Sequence, residues 1–135
     1  MPDPLKPRCT IVPGSARYAN KAVRCLRYDD EDLVVEIQGD GFSFARVVFR
    51  HPAGFRVLDE RDLSEFWTNY AEPNGWLWEV LAGGWMDLER HRPSFNSHEF
   101  LAPLREFLVV DERCISVLCA HPPEITDVGA NRERS

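Results

Sequence analysis

Apolar and polar positions along the chain follow two distinct periods. Over 32–38, Leu33, Val35 and Ile37 alternate with Val34, Glu36 and Gln38, the period of two that marks a strand with one buried face. Residues 22–28 precede this strand across the acidic turn Asp29-Asp30-Glu31, so the two form a hairpin. Gly39-Asp40-Gly41 then turns the chain into 42–50, a stretch of aromatic and β-branched residues that ends at His51-Pro52-Ala53-Gly54. A short strand, 55–58, follows. The period then changes. Leu63, Phe66, Trp67 and Tyr70 stand at i, i+3, i+4 and i+7, one apolar stripe of a helix near 60–70. Asp59 suits its N-cap, Asp62 complements its dipole, and Glu72-Pro73-Asn74-Gly75 stops it.

Residues 76–81 and 85–91 read as a hairpin across Ala82-Gly83-Gly84. A three-residue loop sets its register, pairing Val80 with Met86, Glu79 with Asp87 and Trp78 with Leu88. Trp76, Trp78, Val80, Met86 and Leu88 then form a core face, and Glu79, Leu81, Trp85, Asp87 and Glu89 form the other. A last hairpin joins 105–110 to 113–120 around Asp111-Glu112. Both arms are apolar on both faces, which places them centrally in a sheet. The expected fold is α+β: about eight strands in an antiparallel meander curled over one main helix, a single domain over 1–135 with loose ends at about 1–8 and 126–135.

Charge narrows the partners. Residues 1–28 carry Lys6, Arg8, Arg17, Lys21, Arg24 and Arg27 against Asp3, a balance of +5, which leaves −11 for the rest of a chain whose net charge is −6. So acidic a body argues against nucleic acid, whose phosphates need clustered cations, and is compatible with a basic protein partner. The start, Met1-Pro2-Asp3-Pro4-Leu5-Lys6-Pro7, lacks the apolar core of a signal peptide. No apolar run approaches the ~18 residues of a membrane span. A cytoplasmic location follows, with Cys9, Cys25, Cys114 and Cys119 as reduced thiols. If 113–120 is a strand, Cys114 and Cys119 point to opposite faces and cannot share a metal ion.

Candidate chemistry is sparse. The chain contains no phosphate-binding glycine loop, dinucleotide fingerprint or nucleophile elbow, and no cofactor or metal site is expected. Asp29-Asp30-Glu31-Asp32 lacks the spacing of a calcium loop. His98 and Glu99, in the long 93–104 loop, are the candidates for the edge of a pocket between helix and sheet. The most informative surface is the outer face of 76–91. There Glu79 and Asp87 are expected directly opposite one another, with Glu89, Leu81 and Trp85 beside them. Facing carboxylates destabilise a sheet unless something offsets them. Arginines such as Arg90 or Arg92 could neutralise them, or solvent could. Alternatively the face binds a basic partner with Trp85 as aromatic anchor, or the carboxylates serve a metal or acid–base role in a cleft.

Three stretches carry a family resemblance: Gly54-Phe55-Arg56-Val57-Leu58-Asp59-Glu60-Arg61-Asp62-Leu63 with Phe66-Trp67, Gly75-Trp76-Leu77-Trp78-Glu79-Val80 with Gly83-Gly84-Trp85, and Cys114-Ile115-Ser116-Val117-Leu118 with Pro122-Pro123-Glu124-Ile125. Over 54–125 the chain resembles a group of small uncharacterised bacterial proteins, some of which are similar to immunity proteins that neutralise toxins delivered between bacteria. The resemblance implies stoichiometric inhibition of a partner protein and assigns no functional residue. Three functions are therefore carried forward: a protein-binding module, a small enzyme or ligand-binding domain, and an oligomeric accessory subunit.

Overall fold

The structure, a computed structural model, describes residues 7–15, 22–38, 44–59, 61, 75–94, 103–111 and 113–127. Among these are nine strands and one short helix: β1 (Arg8–Ile11), β2 (Ala22–Tyr28), β3 (Asp32–Gln38), β4 (Phe44–Arg50), β5 (Gly54–Asp59), β6 (Leu77–Ala82), α1 (Trp85–Arg90), β7 (Arg105–Val109), β8 (Arg113–Cys119) and β9 (Glu124–Asp127). The protein is mostly antiparallel β-sheet, as its alternating pattern predicts. The helix expected near 60–70 lies outside the described residues.

Two sheets form, one in the order β1-β6-β7-β8-β5 and one in the order β2-β3-β4-β9. Every neighbouring pair is antiparallel. The hairpins β2–β3 and β7–β8 are the two read from sequence, and β7 and β8 are both interior strands. The sheets pack face to face. Leu33, Val35, Ile37, Val47 and Phe49 of the second sheet join Leu77, Phe107, Val109, Ile115 and Val117 of the first in one buried cluster. Their spacing of two along each strand is the reason they share a face. Phe49 meets Phe107 across the interface with ring centroids 6.0 Å apart. Full burial of each such side chain contributes about 1.5–3 kcal/mol. The expected α+β, mostly antiparallel β architecture is found, with its strands divided between two sheets packed as a sandwich, because apolar faces on both sheets are best removed from water against each other.

The first sheet is also buried on its other face. Trp78, Val80, Leu108 and Cys114 form a second cluster there, and Met86, Leu104 and Leu118 a third. Doubly buried strands explain the unbroken apolar runs in β7 and β8. Cys114 and Cys119 do lie in different clusters, on opposite faces of β8. The second sheet carries ion pairs instead: Arg46 to Glu36 at 3.2 Å, and Arg50 to both Asp32 at 2.8 Å and Glu124 at 3.0 Å.

β1 and β9 bring Arg8, Thr126 and Asp127 into sheets by backbone pairing with β6 and β4. The acidic turn Asp29–Asp32 folds on itself: Asp29 Oδ1 accepts the Glu31 and Asp32 N–H groups at 3.2 and 3.0 Å. Those bonds, the one from Asp32 foremost, hold its carboxyl below the usual range. Finally, residues 85–90 are helical. Among the described residues no helix is long and apolar enough to cross a membrane.

Candidate functional site

The hairpin expected over 76–91 is replaced by a strand, a two-glycine turn and a helix. β6 pairs instead with β1 and β7, so Glu79 lies opposite Thr10 and Phe107, and Val80 opposite Glu106. Met-Asp-Leu-Glu-Arg is a run dominated by good helix formers. Its side chains bond at helical spacing: Trp85 Nε1 donates to Glu89 Oε2 at 3.0 Å, and Arg90 lies 3.9 Å from Asp87. His91 closes the helix, its N–H donating to the Leu88 carbonyl at 3.2 Å.

What seats this helix is a buried carboxylate. Glu106, only 3% exposed, reaches from β7 to the start of α1. Its Oε2 accepts the Trp85 N–H at 3.0 Å and its Oε1 the Met86 N–H at 2.8 Å. These are two of the backbone donors that a helix start leaves without partners. Burial pushes the Glu106 carboxyl up; the Met86 and Trp85 N–H groups and the Arg56 charge act against it, and the Asp87 charge adds to it. Gly84 makes the approach possible. A Cβ there would lie 2.7 Å from both Glu106 oxygens and 2.8 Å from Val80 Cγ1. Gly83 adopts φ of 77°, in the left-handed region, and its N–H donates to Asp87 Oδ2 at 2.7 Å.

The five residues expected to share one outer face are thereby redistributed. Glu79 makes a two-pronged bond with Arg105, both contacts 2.7 Å. Glu89 bonds Arg92 at 2.8 Å as well as Trp85, and Arg92 is the chief reason its carboxyl sits below the usual range. The facing Glu79–Asp87 pair does not form, since each carboxylate has its own arginine: Arg105 for Glu79, Arg90 for Asp87, Arg92 for Glu89. Trp85 is half-buried against Met86, Leu104 and Leu118, and Arg56 lies 4.9 Å from its ring centroid. It is a packing residue of α1, not an exposed anchor. Leu88, assigned to the core by the hairpin register, is 68% exposed, and Leu81 is 49% exposed.

Glu79, Leu81 and Asp87 do come together, around a cleft of about 130 Å³ that Arg90, Arg105 and Glu106 complete. Trp85 and Glu89 are not among its lining residues. A cleft this size holds a few water molecules or one small functional group. His98 and Glu99 lie outside the described residues. Sequence reasoning passed over Arg105 and Glu106. The available signal was a charged pair opening an otherwise apolar strand, Arg-Glu-Phe-Leu-Val-Val. Among the described residues no three His, Cys, Asp or Glu side chains are placed to hold a metal ion. The carboxylates around the cleft are engaged by guanidinium or backbone N–H groups.

No family model, curated protein or solved structure matches the chain.

Proposed function

We propose that the protein is a non-catalytic protein-binding module whose contact surface is the shoulder formed by the end of β6 and α1. The observation that carries this reading is the exposure of Leu81 and Leu88, 49% and 68%. Exposed apolar side chains rimmed by charged residues are a composition that binding surfaces use. Here the rim is Asp87, Arg90, Glu89 and Arg92, all fixed in ion pairs. Such a rim gives register and excludes wrong partners, while the leucines supply apolar contact. The net charge of −6 favours encounter with a basic partner. Stoichiometric inhibition, the activity implied by the resemblance to immunity proteins, is the narrower form of this reading and would use the same surface.

The test is affinity capture from cell extract with wild type and with a Leu81→Ser/Leu88→Ser variant, followed by titration of the captured protein in purified form. Both positions are exposed, so the variant is expected to keep its stability to within about 0.5 kcal/mol. Saturable binding at one-to-one stoichiometry, weakened at least ~10-fold in the variant, supports the module and its surface. A partner held equally by both proteins would move the contact elsewhere.

A further inference from the structure

The cleft at the α1 shoulder holds an unbalanced charge. Glu106 is almost fully buried, and both of its hydrogen bonds come from neutral donors, the Trp85 and Met86 N–H groups. Among the described residues its carboxylate makes no ion pair. Arg56 favours its charge only through space, and stands 4.9 Å from the Trp85 ring centroid. A buried carboxylate without a cation is costly, which is why burial pushes this one up.

Asp87, on the same cleft, adds to the imbalance. Its Oδ2 accepts the Gly83 N–H at 2.7 Å. Its Oδ1 faces Arg90 Nη1 at 3.9 Å, an ion pair too long to be a hydrogen bond. The Asp87 charge also raises the Glu106 carboxyl, so the two carboxylates repel one another. Glu79, the third carboxylate of the cleft, differs: two 2.7 Å bonds from Arg105 occupy both of its oxygens.

These charges select the occupant. At about 130 Å³ the cleft has room for one small functional group. An anion would find Arg90 alone, since Arg105 is committed to Glu79, and would stand against both Asp87 and Glu106. A cation finds Asp87 Oδ1 and the remaining lone pairs of Glu106, and it relieves their repulsion. Leu81 lines the same cleft and is 49% exposed, an apolar surface for the methylenes that carry the charged head of Lys or Arg.

We propose that this cleft receives one basic side chain of the partner protein, a guanidinium or ammonium head held by Asp87 and Glu106 with its stem against Leu81. The inference rests on the reading of the protein as a binding module and names the chemistry its partner must present. Leu88 is not among the lining residues and belongs to the contact around that side chain. A partner lacking the basic residue leaves the Glu106 charge buried and uncompensated, so the cleft discriminates between partners as well as adding contact.

Titration of the ¹⁵N-labelled full chain with N-acetyl-argininamide and with N-acetyl-lysinamide, followed by amide chemical shifts, tests it. The N–H groups of Gly83, Trp85 and Met86 are the reporters, because they donate to the two carboxylates. The expected result is saturable shifts centred on these three, with a dissociation constant on the order of 1–10 mM for the preferred head, and none with neutral N-acetyl-glutaminamide. Asp87→Asn, which keeps an oxygen for the Gly83 N–H, should weaken binding at least ~5-fold, about 1 kcal/mol. Glu106→Gln should do the same, and Leu88→Ser should leave the affinity within ~2-fold. The amide spectrum itself establishes that each variant is folded. Shifts that do not saturate, that fall equally on the acidic turn Asp29–Asp32, or that are unchanged in both carboxylate variants overturn the proposal. The titration needs no partner: failed capture with a positive titration refutes the module alone, and successful capture with a negative titration refutes the cleft alone.

Discussion

The seat of α1 offers a test in a single methyl group. Gly84→Ala places a Cβ 2.7 Å from both Glu106 oxygens, closer than real Cβ contacts come, so the carboxylate must retreat. The backbone itself does not object: φ of −116° and ψ of −154° at Gly84 are extended and open to alanine. With no cost in strain, the substitution should gain about 0.4–1 kcal/mol by restricting the unfolded chain. Against that stands the loss of two hydrogen bonds to a charged, buried acceptor, from Trp85 and Met86, each contributing about 1.5–3 kcal/mol. Partial relaxation of the side chain recovers some of this. The net expectation is destabilisation by about 2–4 kcal/mol. Urea unfolding, followed by tryptophan fluorescence, reads it directly as a lowered midpoint at unchanged slope. The cause is separated by a double-mutant cycle: in a Glu106→Ala background, Gly84→Ala should cost at least ~1.5 kcal/mol less. If the cost is the same in both backgrounds, the obstacle is Val80 Cγ1 at 2.8 Å and not the carboxylate. A Gly84→Ala protein as stable as wild type would refute the account of how α1 is held.

Glu106 also gives the fold a pH signature. Burial raises its carboxyl, so the folded state binds that proton more tightly than the unfolded state, and stability falls as pH rises from the ordinary carboxylate range through the raised value. Asp29, Asp59, Glu89 and Glu124 are held low by their partners and act in the opposite sense, losing stability as pH falls. They are shared with a Glu106→Gln variant and cancel in the comparison. Wild type should therefore lose stability relative to Glu106→Gln as pH is raised from about 4.5; a difference independent of pH would count against it. Thiol chemistry should single out one position. Cys25 is exposed, Cys114 and Cys119 are buried, and burial followed by the Glu106 charge leaves the Cys9 thiol pushed up to about 12. One fast equivalent with Ellman's reagent in the native state, and the rest only in denaturant, is the expected titration. A second fast equivalent would show that the Cys9 or β8 packing is wrong.

Much of the sandwich was legible because local pattern and local pairing coincide in it. β2–β3 and β7–β8 are hairpins, so alternation along each strand and a short polar turn were sufficient to place them. The strands of the first sheet were harder. β6 has two partners, and both are distant: β1, some seventy residues earlier, and β7, reached only after α1. The nearest apolar stretch, 85–90, was the natural partner by proximity, and the glycine pair between them looked like a hairpin loop. Its composition was the better guide. Met, Leu, Glu and Arg favour helix, and Trp85–Glu89 and Asp87–Arg90 are spaced for one, whereas β-branched residues are absent from 84–91.

The same misplacement explains why the site was half right. Facing carboxylates at 79 and 87 were the anomaly that drew attention to this surface, and the structure removes the anomaly by supplying an arginine to each. Glu79 finds Arg105 only because β6 pairs with β7, a contact invisible at the level of local sequence. Exposure, by contrast, follows from the helix: once 85–90 coils, Met86 turns to the sheet and Leu88 to water, and neither position can be chosen by a strand's period of two. Leu88 therefore passes from core to surface by the same step that turns Trp85 from an outer sheet face to half-buried packing against Met86, Leu104 and Leu118. The contact surface proposed here keeps the place in the chain that the sequence indicated and exchanges its anchor, from a tryptophan that holds the helix to a leucine that the helix presents.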